Sequence, residues 1–194
     1  MKHSKETDLF AMLKRETASV HEQVMEESWA KRVLSIDYTL PEYRGLLQKY
    51  YGFYLPLETL LLDFGTSVFY PARLKHPLLH QDLNVLHSPD RFDPVIYSKL
   101  PEISGVPSAL GICYVLEGAT LGGQIIAKHL KNSLVLKEQE ALPFFNGYSP
   151  DTAKMWTGLK TQTRDIVRTP QELTVILEAA LETFNSLSNW MEAS

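Results

Sequence analysis

Hydrophobic positions recur three and four residues apart along almost the whole chain, and no stretch shows sustained apolar/polar alternation flanked by hairpin turns. That spacing puts apolar side chains on one stripe of an α-helix, whereas a half-buried strand would need a period of two. The pattern predicts an all-helical fold. Leu9, Leu13, Val20 and Val24 fall on or near one stripe of a first helix over residues 8–28, with Lys14, Arg15 and Glu16 beside it. Thr39-Leu40-Pro41-Glu42 has the spacing of a capping box and opens a long second helix to about Phe64. Pro71 and Pro77 break the next stretch and leave a short helix over 78–86. Pro89, Pro94, Pro101 and Pro107 punctuate the region beyond it, predicting a brief helix over 95–100 and a long one over 108–134. Phe144 to Gly147 reads as a loop. Ser149-Pro150-Asp151 then supplies a serine cap and a proline in the first turn of a helix to about Val167. Thr169-Pro170-Gln171-Glu172 is a second capping box, starting a terminal helix through Leu177, Leu181 and Phe184 to Trp190.

With no repeat, linker or low-complexity tract, 194 residues suit one domain over 1–194 with a single core. Short connections between helices make that domain a bundle. Hydrophobic content of 44% against 22% charged residues places the chain among globular rather than disordered sequences. A net charge of −4 argues against a general nucleic-acid binder. Cys113, the single cysteine, excludes an internal disulfide, and the first eight residues lack the apolar core of a signal peptide, which predicts a cytoplasmic protein. Leu55 to Phe64 is the densest apolar run of its region, but Glu58 and Asp63 interrupt it far short of a membrane span, so no membrane insertion is expected.

One stretch breaks the helical rules. Gly118, Gly122 and Gly123 lie inside the predicted helix over 108–134, and an interior glycine costs about 0.5 to 1 kcal/mol relative to alanine. Two needs would justify bare backbone there: another helix crossing too closely for side chains, or a flat ligand lying against the helix where it bends. Both remain open on the glycines alone.

The histidines narrow the chemistry. A carboxylate-bridged di-iron bundle uses Glu-x-x-His, but Ala18, Arg73, Pro77, Asn84 and Ile126 stand three residues before five of the histidines, and His3 is too close to the start. His76 and His80 have the spacing of a helical metal clip, yet Pro77 lies between them and no His-Glu-x-x-His pattern exists, so they read as a surface helix start. Cys113 on an apolar helix reads as a buried structural thiol. His21 sits near the apolar stripe of the first helix, beside Val20 and Val24, as either a core-edge residue or an axial ligand. A planar macrocycle clamped between that helix and a side-chain-free one would explain both His21 and the glycines.

Tyr114-Val-Leu-Glu117-Gly118-Ala119-Thr120-Leu121-Gly122-Gly123 resembles the distal helix of bacterial heme oxygenases. The similarity extends from the Lys14–His21 segment through Phe144-Phe145 to Phe184-Asn185. It implies a helical bundle holding heme between a proximal first helix and a glycine-kinked distal helix. It also implies His21 as iron ligand, Gly118, Gly122 and Gly123 as catalytic distal glycines, and Lys14 and Lys160 as partners of the heme propionates. The implied activity is oxygen-dependent cleavage of heme, both substrate and cofactor, to biliverdin, iron and carbon monoxide. Electrons would come from a ferredoxin or flavoprotein reductase, facing a basic patch that includes Lys128 and Lys131, and biliverdin could pass to a phytochrome. Lysines at both propionate positions favour the α-meso carbon. Many mammalian-type members carry an aspartate directly after the first distal glycine, where this chain has Ala119; bacterial relatives also lack that acid. Two other classes compete: a heme carrier that kept the pocket without turnover, and a related helical enzyme of thiaminase-like or quinone-cofactor type, which would not need His21 and the glycines together.

Overall fold

Thr39 and Thr169 each close a capping box in the computed structural model, accepting from the backbone N–H of Glu42 and Glu172 while those glutamates reach back to the threonine N–H. The structure describes residues 9–65, 71–86, 94–133, 142–164, 166–167 and 169–193. They are helical with no strand: α1 (Leu9–Glu16), α2 (Ala18–Glu26), α3 (Ser28–Val33), α4 (Leu40–Phe64), α5 (His76–Val85), α6 (Val106–Ser133), α7 (Pro143–Asn146), α8 (Thr152–Arg164) and α9 (Pro170–Glu192). The glycine-bearing α6 is the central helix, packing along α9 and against α7 and α8. α1 and α2 also lean on α9, and α4 pairs with α5. By length and composition it is α6, rather than the run from Leu55 to Phe64, that could cross a membrane; 56% of its apolar window is buried inside the fold.

Four local expectations change. The first helix divides at Thr17, whose hydroxyl bonds back to the Leu13 carbonyl at 2.7 Å, a contact that bends helices. It stops at Glu27, which turns extended (φ −65°, ψ 153°) and ties its carboxylate to Trp29 and to Ser188 of α9. Residues 94–100 are not helical. Pro56 lacks an N–H, so the Gly52 carbonyl one turn back has no partner within α4, and it accepts instead from Tyr97 at 3.0 Å. The segment lies so close that a Cβ on Gly52 would stand 2.2 Å from the Val95 carbonyl oxygen. Phe144 begins no loop but belongs to the one-turn α7, ended by Gly147 at φ +55°. Ser149 does not cap α8 with its side chain; it starts a 3₁₀ turn over Ser149–Asp151, and α8 continues to Arg164. Asp8, Pro89 and Leu134, which bounded three expected elements, lie outside the described residues.

Asp82 of α5 anchors α7 by accepting the Phe144 N–H at 3.0 Å, and its other carboxylate oxygen is buried. Burial pushes its acid up to about 7, against 3.8 for an ordinary aspartate. The folded state therefore holds a proton that the unfolded chain releases, so stability falls as pH rises from about 4 to about 7 and levels off above. Asp82→Asn keeps the acceptor without the charge. The expected result is a higher melting temperature than the parent at pH 8, with the two converging near pH 4; parallel melting curves across that range would refute the assignment.

Candidate active site

Gly118, Leu121, Gly122 and Ile125 recur at helical spacing on one face of α6, and that face is open. Leu121 is 44% and Ile125 70% exposed, whereas most of residues 108–117 in the first half of α6 lie in the core. A Cβ on Gly122 would meet nothing within 4 Å, and one on Gly118 would meet only the Trp156 ring, at 3.9 Å. Gly123 is different: its Cβ would stand 2.6 Å from the Phe145 carbonyl oxygen of α7. The triplet thus divides: packing against α7 accounts for Gly123, while Gly118 and Gly122 front open space. Gly111, outside the triplet, marks a closer crossing still, its Cβ position 2.2 Å from the Ile176 carbonyl oxygen of α9.

This division has a measurable consequence. Alanine gains about 1 kcal/mol over glycine in a helix interior, so Gly122→Ala is expected to raise the melting temperature by roughly 2 to 4 °C. Gly123→Ala is expected to lower it, because moving the α7 backbone costs about 1 to 3 kcal/mol. Equal shifts in the two variants would mean that the faces are not distinct.

Beside the open face stand three rings: Phe10 of α1, Tyr114 of α6 and Trp156 of α8, with centroids 5.1 to 5.8 Å apart. The Lys160 ammonium lies 5.5 Å from the Phe10 ring centre and 5.8 Å from that of Trp156, a cation–π arrangement. Lys14 follows Phe10 by one turn and is exposed. The structure therefore brings Gly118 and Lys160 to one aromatic cluster, with Lys14 one turn along α1 from its Phe10. His21 stands on α2, exposed, its ring edge-on to Phe184 of α9 with centroids 6.0 Å apart. One turn before it, Thr17 meets the Tyr114 hydroxyl. The walls carrying His21 and the glycines both rest on α9. Ala119 is exposed next to Gly118, and a groove of about 430 Å³ opens where Leu121 and Gln124 meet Ser149 and Thr152.

Glu117 carries the largest surprise. It is 1% exposed and holds two buried cations: Arg73 Nη1 lies 2.5 Å from Oε2, and Lys75 Nζ 2.6 Å from Oε1. Lys75 spends its other donors on the Arg73 carbonyl and the Tyr148 hydroxyl, and Tyr148 donates to Glu117 at 2.7 Å. Burial lowers the Lys75 ammonium below the ordinary lysine value, with Glu117 pulling the other way. Glu58 of α4 accepts from the N–H groups of Lys75 and His76 at the start of α5 and from His76 Nδ1 at 2.7 Å. His76 is thereby a partner of Glu58, and His80 contacts Asn84 at 3.0 Å. Among the described residues no three His, Cys, Asp or Glu side chains cluster to hold a bare metal ion. Cys113 is fully buried, which pushes its thiol well up, as befits a structural residue.

The heme oxygenase family profile matches residues 7–193. The chain belongs to the heme oxygenase family. Its members are heme-degrading oxidoreductases, and this heme oxygenase shares its fold with bacterial ones. A heme oxygenase from the cyanobacterium Synechocystis, solved with heme, is similar at 17% identity over 95% of this chain and 90% of its own, with a TM-score of 0.78. The enzyme from Leptospira interrogans is similar at 16% identity over 95% and 98%, TM-score 0.77. That from Neisseria meningitidis is 21% identical over 97% and 94%, TM-score 0.71. No curated protein sequence matches this heme oxygenase at a significant level.

Proposed function

We propose that this chain cleaves heme to biliverdin, iron and carbon monoxide with dioxygen and external electrons. The observation that supports it most is the open apolar face of α6, bare of side chains at Gly118 and Gly122 and flanked by Trp156 and Lys160. A flat apolar ring with two carboxylates at one edge suits that surface: Leu121 and Ile125 give it apolar contact, and Lys14 and Lys160 offer point charges for the propionates. When bound, heme supplies the iron that activates dioxygen and the meso carbon that is oxidised.

In this reading His21, accessible and free of any ion pair among the described residues, is the residue that would ligate the iron. Gly118 and Gly122 leave open space, and their backbone would face dioxygen on bound heme without a side chain in the way. Ala119 offers no acid, and Glu117, the nearest carboxylate along α6, is engaged by Arg73, Lys75 and Tyr148. Proton delivery therefore runs through solvent reaching the backbone at Gly122. Gly123 contributes by seating α6 on α7. Electrons come from an acidic ferredoxin or flavoprotein docking near the exposed Lys14 and Lys128; biliverdin supply to a phytochrome is one use of the product. The lysines at the propionate edge favour the α-meso carbon.

Mixing the protein with hemin, a reductase system and air tests this. The expected result is loss of the Soret band with growth of a bilin spectrum. A Soret band stable under those conditions would mean a heme carrier, and no hemin binding would remove both readings. Gly122→Phe should keep the fold while blocking heme or oxygen access.

A further inference from the structure

Arg73 joins the two helices that face each other across this site. One arm of its buried guanidinium pairs with Glu117 of α6, and the other, Nη2, donates to the Met155 carbonyl of α8 at 3.2 Å. The next residues along each helix are Gly118 and Trp156, and the space between them at the glycine face is such that a Cβ on Gly118 would stand 3.9 Å from the Trp156 ring. The residue one turn beyond Trp156 is Lys160, whose ammonium sits over that same ring. A rigid planar fork therefore spans the residues immediately behind the gap. Its surroundings hold it in place: Lys75 and Tyr148 share the Glu117 carboxylate, Lys75 also bonds to the Arg73 carbonyl, and Glu58 fixes the Lys75 backbone.

We propose that Arg73 is a positioning residue that sets the gap between Gly118 and Trp156, and through it the seat of the heme edge between α6 and α8. The gap itself belongs to the ligand-free protein; its effect on heme orientation rests on the function proposed above. Lysine at 73 would keep the charge but has one ammonium for two acceptors, so it cannot hold Glu117 and the Met155 carbonyl in the same fixed geometry. A buried cation serving stability alone would show a lower melting temperature without moving Trp156.

The test labels the three tryptophans, Trp29, Trp156 and Trp190, with 5-fluorotryptophan and follows the ligand-free protein by fluorine NMR, with Trp156→Phe giving the assignment. In Arg73→Lys the Trp156 resonance is expected to shift by more than its linewidth while Trp190 stays in place. With hemin, the ratio of biliverdin isomers should change and turnover fall by about ten- to a hundredfold. A folded variant whose Trp156 resonance does not move overturns the proposal, whatever its melting temperature. If Arg73→Lys does not fold, Glu117→Gln takes its place: the amide has one acceptor oxygen where Arg73, Lys75 and Tyr148 now share two, so the bridge must loosen and Trp156 must shift, and an unmoved resonance again overturns the proposal. Failure of the wild-type chain to bind hemin would sink the heme reading and leave the fluorine result to decide the Arg73 role by itself.

Discussion

His21→Ala is expected to abolish normal heme turnover while leaving the fold almost untouched. The side chain is exposed, and its one ring contact among the described residues, edge-on to Phe184 at 6.0 Å, is worth about 0.5 to 1.5 kcal/mol at most. For a domain of this size that is a fall in melting temperature of only a few degrees. The functional loss should be out of proportion to it, because no other imidazole among the described residues is offered: His76 is engaged by Glu58, His80 contacts Asn84 and His129 bonds to the Ser35 carbonyl. Hemin should still bind by its apolar face and propionates, with an altered Soret band and a changed electron-paramagnetic spectrum, and added imidazole should restore part of the turnover by occupying the vacated volume. Turnover at the parental rate, with an unchanged Soret band, would take the ligand role away from His21. Loss of activity together with a melting temperature lowered by ten degrees or more would point to a structural histidine instead.

What could be read from the sequence was what is decided within one or two helical turns. Both capping boxes, the helical periodicity and the long second helix come from neighbours in sequence, and the structure has them. The segment over 94–100 was misread because its conformation is dictated from far away, by the carbonyl that Pro56 sets free on Gly52. The glycine triplet could be seen to need bare backbone, but dividing it required knowing that the Phe145 carbonyl arrives at Gly123 and nothing arrives at Gly122. The aromatic cluster at the site was missed, since Phe10, Tyr114 and Trp156 lie on three helices far apart in sequence. A signal for the ionic cluster did exist. Glu58 and Glu117 each interrupt an apolar run, and a carboxylate on a core face must find a partner, which the pair Arg73 and Lys75 after Pro71 could have supplied.

Those same partners make Glu117→Leu the most destabilising single substitution expected here. Leucine fills the volume but leaves the Arg73 guanidinium and the Lys75 ammonium, both almost wholly buried, without their anion. Breaking a buried pair from one side costs about 3 to 5 kcal/mol, because desolvation of the remaining charge is no longer offset. With two cations stranded the upper end applies, a fall in melting temperature of roughly 10 to 20 °C. Lys75 has an escape that Arg73 lacks: burial already lowers its pKa, and without Glu117 it can shed its proton, so the loss should be smaller at high pH. Replacing the cluster as a whole, Glu117→Leu with Arg73→Met and Lys75→Met, should recover most of the stability, since apolar groups of similar volume carry no desolvation cost. That restored protein separates the two duties of the cluster. It should melt near the parent, yet with no fork between α6 and α8 it should hold Trp156 out of register with Gly118 and oxidise heme at a different ratio of meso carbons. A triple variant with parental stability and a parental isomer ratio would show that the buried charges set neither.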